Sequence, residues 1–169
     1  MNSEFLSEES LKKLQFKKLG TNIKISKNVT IIGEKNVSLG SNIRIDDFTI
    51  ISANNGNLDI GSNVHIGGQS YFGCSGDIKI GSNVNISQGS RFYSKINEYL
   101  EFEPGNNYVL KKITIKDNVI IGSGTVVIGQ CTIEEGTTVG ALSFVKDNLK
   151  SWSIYAGNPI KFIKARKKK

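Results

Sequence analysis

One hexapeptide, repeated six times in register, decides most of what this chain can become. It reads LGTNIK from Leu19, LGSNIR from Leu39, IGSNVH from Ile60, IGSNVN from Ile80 and IKDNVI from Ile115, with a more degenerate IEEGTT from Ile133. Each copy is followed by two looser hexapeptides, such as IGSGTV then VIGQCT, and the starts are 20, 21, 20, 35 and 18 residues apart. One turn of a three-sided coil takes about 18 residues, so each unit is one turn.

Such a unit cannot bury its apolar residues alone. Stacked on its neighbours, it builds one continuous core. The first residue of each hexapeptide is expected to point inward and stack on its equivalent one coil away. This predicts three ladders: Leu19, Leu39, Ile60, Ile80, Ile115 and Ile133; Ile25, Ile45, Ile66, Ile86, Ile121 and Val139; and Ile31, Ile51, Phe72, Phe92, Val127 and Val145. The fifth position of the first hexapeptide, from Ile23 to Thr137, also faces in, and the sixth faces out. Glycine at the second position and asparagine at the fourth suit corners that turn tightly or take left-handed dihedrals. A β-sandwich of short strands is the alternative, but its strand spacing would not hold one register through six copies.

The expected fold class is therefore all-β, a parallel β-helix of about six coils spanning residues 19–150. Residues 1–18 are expected to form a short helical cap, with Ser7 at its N-cap and Leu11 and Leu14 on one side. A long excursion over residues 92–114 replaces a hexapeptide, and loops of that length in a repeat are usually functional. Residues 151–169 form a closing segment and basic tail, turning at Gly157–Pro159.

Composition excludes several classes. No apolar run approaches the roughly 18 residues of a membrane span, and the N-terminal MNSEFLSEESLKKLQFKK has no apolar segment of a secretory signal. The net charge of +7 suggests nucleic acid, yet KFIKARKKK at the end holds six positive charges. Without them the 22 basic residues fall to 16 against 15 acidic ones, so the body is nearly neutral and no nucleic-acid groove is expected. Two separated cysteines, Cys74 and Cys131, suit a reducing cytoplasm. His65 is the one histidine, so three histidines of one chain cannot hold zinc.

IGSNVN, ISQGSR, the excursion, IKDNVI, IGSGTV and the ending AGNPIKFIK follow one another in an order that resembles the hexapeptide-repeat acyltransferases. The likeness is to the galactoside and maltose O-acetyltransferase branch and to sugar acetyltransferases of polysaccharide clusters. The resemblance implies a left-handed β-helix, a homotrimer, and acetyl-coenzyme A in the groove between neighbouring helices. It also implies a sugar or nucleotide-sugar acceptor taking acetyl on oxygen or nitrogen, in surface polysaccharide biosynthesis. Ser123 and Ala141 match positions that hold the pantetheine arm. Lys146, Lys161 and Lys164 fall near the coenzyme's nucleotide end, where lysine supplies charge to phosphate. Asn97 stands where that branch carries a histidine, and asparagine is no general base.

That departure turns attention to His65, the outward sixth residue of IGSNVH. It is expected to stack between Arg44 and Asn85 on adjacent coils, with Asp46 and Asp47 diagonal to it. One carboxylate, Asp46, would orient the imidazole and leave its other nitrogen free to take the acceptor's proton. Asp47, Asn85 and Asn97 are then candidates for binding the substrate, and no metal is expected. Several alternatives remain open at the level of sequence. For His65 itself they are a surface histidine beside two solvated aspartates, and an amine acceptor that needs no strong protein base. For the whole chain they are a noncatalytic trimeric scaffold or binding module, and a γ-carbonic-anhydrase-like metal site built from symmetry copies of His65.

Overall fold

The computed structural model describes residues 4–97 and 108–168. Within them the chain winds as a three-faced parallel β-helix of about six coils, consistent with the left-handed β-helix. The first face runs from the strand Lys18–Leu19 to Cys131–Ile133, and the third from Thr30–Ile32 to Phe144–Val145. The second face starts at Ile23–Ile25 and is extended past Thr138–Val139 by Ser153–Ala156 and the antiparallel Lys161–Ala165.

Strand register reproduces all three expected ladders. Leu39 pairs with Ile60 and Ile60 with Ile80, Ile45 with Ile66 and Ile66 with Ile86, and Ile51 with Phe72 and Phe72 with Phe92. Most of these side chains are fully buried, each contributing roughly 1.5 to 3 kcal/mol relative to exposure. Phe72 and Phe92 stack with centroids 4.7 Å apart. A further column, Val37, Leu58, Ile78, Ile113 and Cys131, lines the first face from a sequence position the repeat reading did not assign.

The corners differ from expectation in one respect. Asn22, Asn42, Asn63, Asn83 and Asn118 take positive φ, as asparagine does most readily after glycine. Their amides also form a chain between coils, Asn42 donating to Asn63 at 2.9 Å and Asn63 to Asn83 at 3.0 Å. The glycines beside them do not have positive φ. A Cβ on Gly61 would lie 2.6 Å from the carbonyl carbon of Gly81, so glycine is needed there for the close stacking of backbone on backbone.

At the N-terminal end, helix Glu8–Lys13 is capped by Ser7, whose Oγ accepts from the Ser10 amide at 3.2 Å, and Leu11 is buried. At the other end, Arg166 donates to the carbonyls of Asn118 and Gly136, both at 2.9 Å, and its guanidinium lies over Trp152. Arg166 thus ties the basic tail to the last coils. The excursion is narrower than residues 92–114, because Phe92 stays in its ladder and Ile113 is already back in the first face. Its base is an antiparallel pair, Lys95–Asn97 with Tyr108–Leu110. No helix among the described residues is long and apolar enough to cross a membrane.

Cys74 and Cys131 are buried free thiols. Burial first, and then the carboxylates of Asp77 and Asp147, push them up to about 12. A folded-state value above the unfolded one gives stability that is complete below pH 9 and lost as pH rises towards 12. Each thiol is expected to cost about 1.4 kcal/mol per pH unit in that window. Melting curves from pH 8 to 11 check this: Cys74→Ala should fall less steeply than the unaltered protein above pH 9. Parallel slopes would contradict it.

Candidate active site

The second face presents its outward residues as one column. Arg44, His65, Asn85, Ile120, Thr138, Ile154 and Lys164 are successive register partners across seven strands. Inward neighbours such as Val64 and Ile66 anchor the His65 strand, so alternation along the strand sends the imidazole outward. Its side chain is 43% exposed, open to a ligand yet held on both sides.

His65 Nε2 lies 2.8 Å from Asp46 Oδ2, and Arg44 Nε donates to Asp46 Oδ1 at 2.6 Å. Arg44 in turn rests on the ring of Phe5, which the N-terminal segment brings in through its bridge to Ser26. Burial raises the Asp46 carboxyl, but hydrogen bonds and charge from His65 and Arg44 outweigh it and hold the group below the usual carboxylate range. Asp46 is therefore ionised throughout the neutral range and accepts the Nε2 proton.

The second ring nitrogen is not free as expected: His65 Nδ1 lies 3.1 Å from Asn85 Oδ1. A neutral ring that donates Nε2–H to Asp46 has a lone pair on Nδ1, and it is complementary to an amide NH2 once the Asn85 amide is turned over. The exposed Asn85 thus occupies the place an acceptor's N–H or O–H would take. Asp47 turns the other way. It accepts from Ser26 Oγ and from Asn28 Nδ2 at 3.2 Å, and these contacts fix the corner of the preceding coil.

That corner belongs to the edge between the second and third faces. Position three of the second hexapeptide runs along it as Asp47, Gly68, Gln88, Ser123 and Ala141, linked by hydrogen bonds such as Gln69 N to Asp47 O and Leu142 N to Ser123 O. Ser123 and Ala141 therefore share an edge with the carboxylate pair, at its C-terminal end. At the other end a cavity of about 340 Å³ opens beside Asp46, lined by Arg44, Asp46, Asp47, Phe48, Gly68, Gln69 and Gln88. Phe48, Gln69 and Gln88 were not singled out from sequence. The signal was present in the repeat, since Gln88 holds the hexapeptide position of Ser123 and Ala141.

Lys161 and Lys164 are exposed on the closing strand, where Lys161 pairs with Ala156 and Lys164 with Ile154. Regular alternation would send them to opposite sides, but the register shift between Ile154 and Tyr155 puts both on the outward side, in the sense of His65. Lys164 is five strand spacings from His65, roughly 24 Å. Lys146 is exposed just past Phe144–Val145, on the third-face strand that follows the corner of Ala141. Asn97 lies on the excursion, which leaves the edge opposite the second face, so one chain does not bring it to His65.

Residues 112–147 match the family described as Bacterial transferase hexapeptide (six repeats). Over 174 aligned residues the chain is 36% identical to dTDP-4-amino-4,6-dideoxy-D-glucose acyltransferase of Escherichia coli, covering 98% of this chain and 90% of that one. The chain belongs to the hexapeptide-repeat acyltransferases. Among solved structures this acyltransferase is similar to a variant of AntD, an N-acyltransferase from Bacillus cereus in complex with dTDP-4-amino-4,6-dideoxyglucose and coenzyme A. That match has a TM-score of 0.91 and 37% identity, covering 99% of this chain and 93% of that one. A further AntD structure, with dTDP and 3-hydroxybutyryl-CoA, is 38% identical with a TM-score of 0.90, covering 99% and 92%. Likeness to a maltose O-acetyltransferase from Clostridium difficile 630 is at the level of fold, at 21% identity and a TM-score of 0.66 over 95% of this chain and 75% of that one.

Proposed function

We propose that this acyltransferase moves an acyl group from coenzyme A to the amino group of a nucleotide-linked amino sugar of the dTDP-4-amino-4,6-dideoxyhexose class. The observation that carries the reading is the His65–Asp46 pair, which stands beside a polar cavity on the edge that also carries Ser123 and Ala141. The relatives supply the chemistry of the two substrates. The likeness to a maltose O-acetyltransferase is one of fold alone and does not bear on the acceptor.

In this reading the sugar enters the cavity and its amine displaces Asn85 from His65 Nδ1. Nδ1 takes the amine's proton as nitrogen attacks the thioester carbonyl, and Asp46 stabilises the imidazolium. The C–N bond forms and the C–S bond breaks, and His65 returns the proton to the departing sulfur. Ser123 and Ala141 hold the pantetheine arm, while Lys161 and Lys164 face the coenzyme's phosphates at the far end of the column. An amine is a stronger nucleophile than a hydroxyl, which agrees with Asn97 standing where the O-acetyltransferases keep a histidine.

The third face favours a homotrimer. Its outward side carries Thr30, Ile50, Tyr71, Arg91, Val126 and Phe144 in one column and Ile32, Ser52, Gly73, Tyr93 and Ile128 in the next, a larger apolar share than on the first face, which shows Lys18, Ser38, Asp59, Lys79, Thr114 and Thr132. The apolar side chains on this face, with Ile32 and Ile50 exposed, fit a second copy of the chain. A copy packed there would close the groove along the shared edge and bring its own excursion, with Asn97, towards His65. Buried free thiols suit a cytoplasmic enzyme.

The test is thiol release from acetyl-CoA and 3-hydroxybutyryl-CoA over a panel of nucleotide-linked amino sugars, nucleotide-linked hydroxy sugars and free sugars. Turnover should be confined to amino sugars carrying a nucleotide, and light scattering should give three times 18.5 kDa. Equal turnover of free hydroxy sugars would refute the acceptor assignment, and an active monomer would refute the shared groove.

A further inference from the structure

The edge beside His65 has an uneven profile that the fold itself does not require. Position four of the second hexapeptide takes positive φ in five successive coils: 61° at Phe48, 61° at Gln69, 70° at Gly89, 67° at Gly124 and 56° at Leu142. Three of the five carry full side chains, so this corner does not depend on glycine. At Gly89 an added Cβ would meet nothing nearer than 3.8 Å in the chain, unlike Gly61, where backbone would collide. At Gly124 it would meet Leu142 Cδ2 at 2.8 Å, so the Leu142 side chain leans over that floor. The result is a notch one coil wide at Gly89, with Leu142 towards the C-terminal side and Gln69 towards the N-terminal side. Phe48 and Leu142, 63% and 78% exposed at a backbone conformation costly for their types, add apolar walls to the same edge.

The notch lies between Ser123 and the cavity beside Asp46. Resting on the reading above, in which Ser123 and Ala141 hold the pantetheine arm, the next coil along the edge is where the acyl group must lie. We propose that Gly89 and Gln69 set the length of acyl chain this enzyme transfers, Gly89 as the open floor under the chain and Gln69 as the stop at its end. One coil is a step of about 4.8 Å. That step takes an acyl group of roughly two to four carbons, and a longer chain runs into the Gln69 side chain. The amides of Gln69 and Gln88 make the end of the notch polar, so a hydroxyl on the chain is hydrogen-bonded there while a purely alkyl end is not.

Two exchanges test this, each copying a residue that the same corner already carries at the same φ. Gln69→Gly opens the stop and Gly89→Gln fills the floor, and thermal melts verify folding. Calorimetry without acceptor measures binding of free coenzyme A, acetyl-CoA, 3-hydroxybutyryl-CoA and hexanoyl-CoA. The unaltered protein should bind the two shorter donors at least tenfold more tightly than hexanoyl-CoA. Gln69→Gly should gain at least tenfold for hexanoyl-CoA with acetyl-CoA within threefold. Gly89→Gln should lose at least tenfold for 3-hydroxybutyryl-CoA with free coenzyme A within threefold. Chain-length profiles that stay unchanged in both folded variants overturn this assignment and leave the acyltransferase reading standing. Absence of coenzyme A binding by the unaltered protein overturns both.

Discussion

Changing His65 to Asn is expected to lower kcat for acyl transfer by about 100-fold to 10,000-fold, equivalent to roughly 3 to 5 kcal/mol of barrier. The substitution keeps much of the ring's shape but removes the group proposed to carry the proton. Coenzyme A should bind as before, because the Ser123 and Ala141 edge, where the pantetheine arm is proposed to lie, is left intact. Asp46→Asn should cost less: the imidazole loses the carboxylate that orients it and stabilises its charged form, yet Nδ1 still accepts a proton. Asn85→Ala should leave kcat nearly unchanged and alter acceptor KM, since in the proposed mechanism it only clears the place the amine takes. Single-turnover rates from pH 6 to 8 with the amino-sugar acceptor decide the matter. Near-normal turnover by His65→Asn across that range would transfer the proton's destination to water.

The largest stability loss is expected from Phe72→Ala, about 3 to 5 kcal/mol. Phe72 and Phe92 are fully buried and stacked, with Ile51 below and Val127 above in the same ladder. Removing one ring leaves a cavity that the coils cannot close, because each corner is pinned to the next by backbone hydrogen bonds such as Tyr71 N to Ser90 O at 2.9 Å. Ile51→Val, which removes one methylene from the same ladder, should cost about 0.5 to 1.5 kcal/mol. Urea unfolding at fixed protein concentration measures both, concentration being held because an oligomer's stability depends on it. A Phe72→Ala loss below about 1 kcal/mol would mean that the ladder repacks and that the corners are softer than their hydrogen bonds imply.

The ladders were legible residue by residue, from Leu19 to Val145, because a period of six with an aliphatic first position has one economical way to bury its apolar residues. The Ser7 cap and the helix at Glu8–Lys13 were legible for a similar reason, a local one. His65, Arg44 and Asn85 could be placed on adjacent coils by counting, since register in a solenoid is arithmetic.

Other features depended on contacts between coils that no local pattern records. The repeat treated Gly61 and Asn63 alike as corner residues, but Gly61 is required by a backbone one coil away and Asn63 by its own φ. Asp46 and Asp47 are neighbours of the same type; the pleat and the corner send one to His65 and the other to Ser26. Lys161 and Lys164 reach the same side only through a register shift, and Gly89 becomes a notch only between Gln69 and Leu142. Periodicity determines which residues are buried, because burial follows the average environment of a position. Where each polar side chain points depends on individual hydrogen bonds and close contacts between neighbouring coils, and those exist only once the coils are stacked.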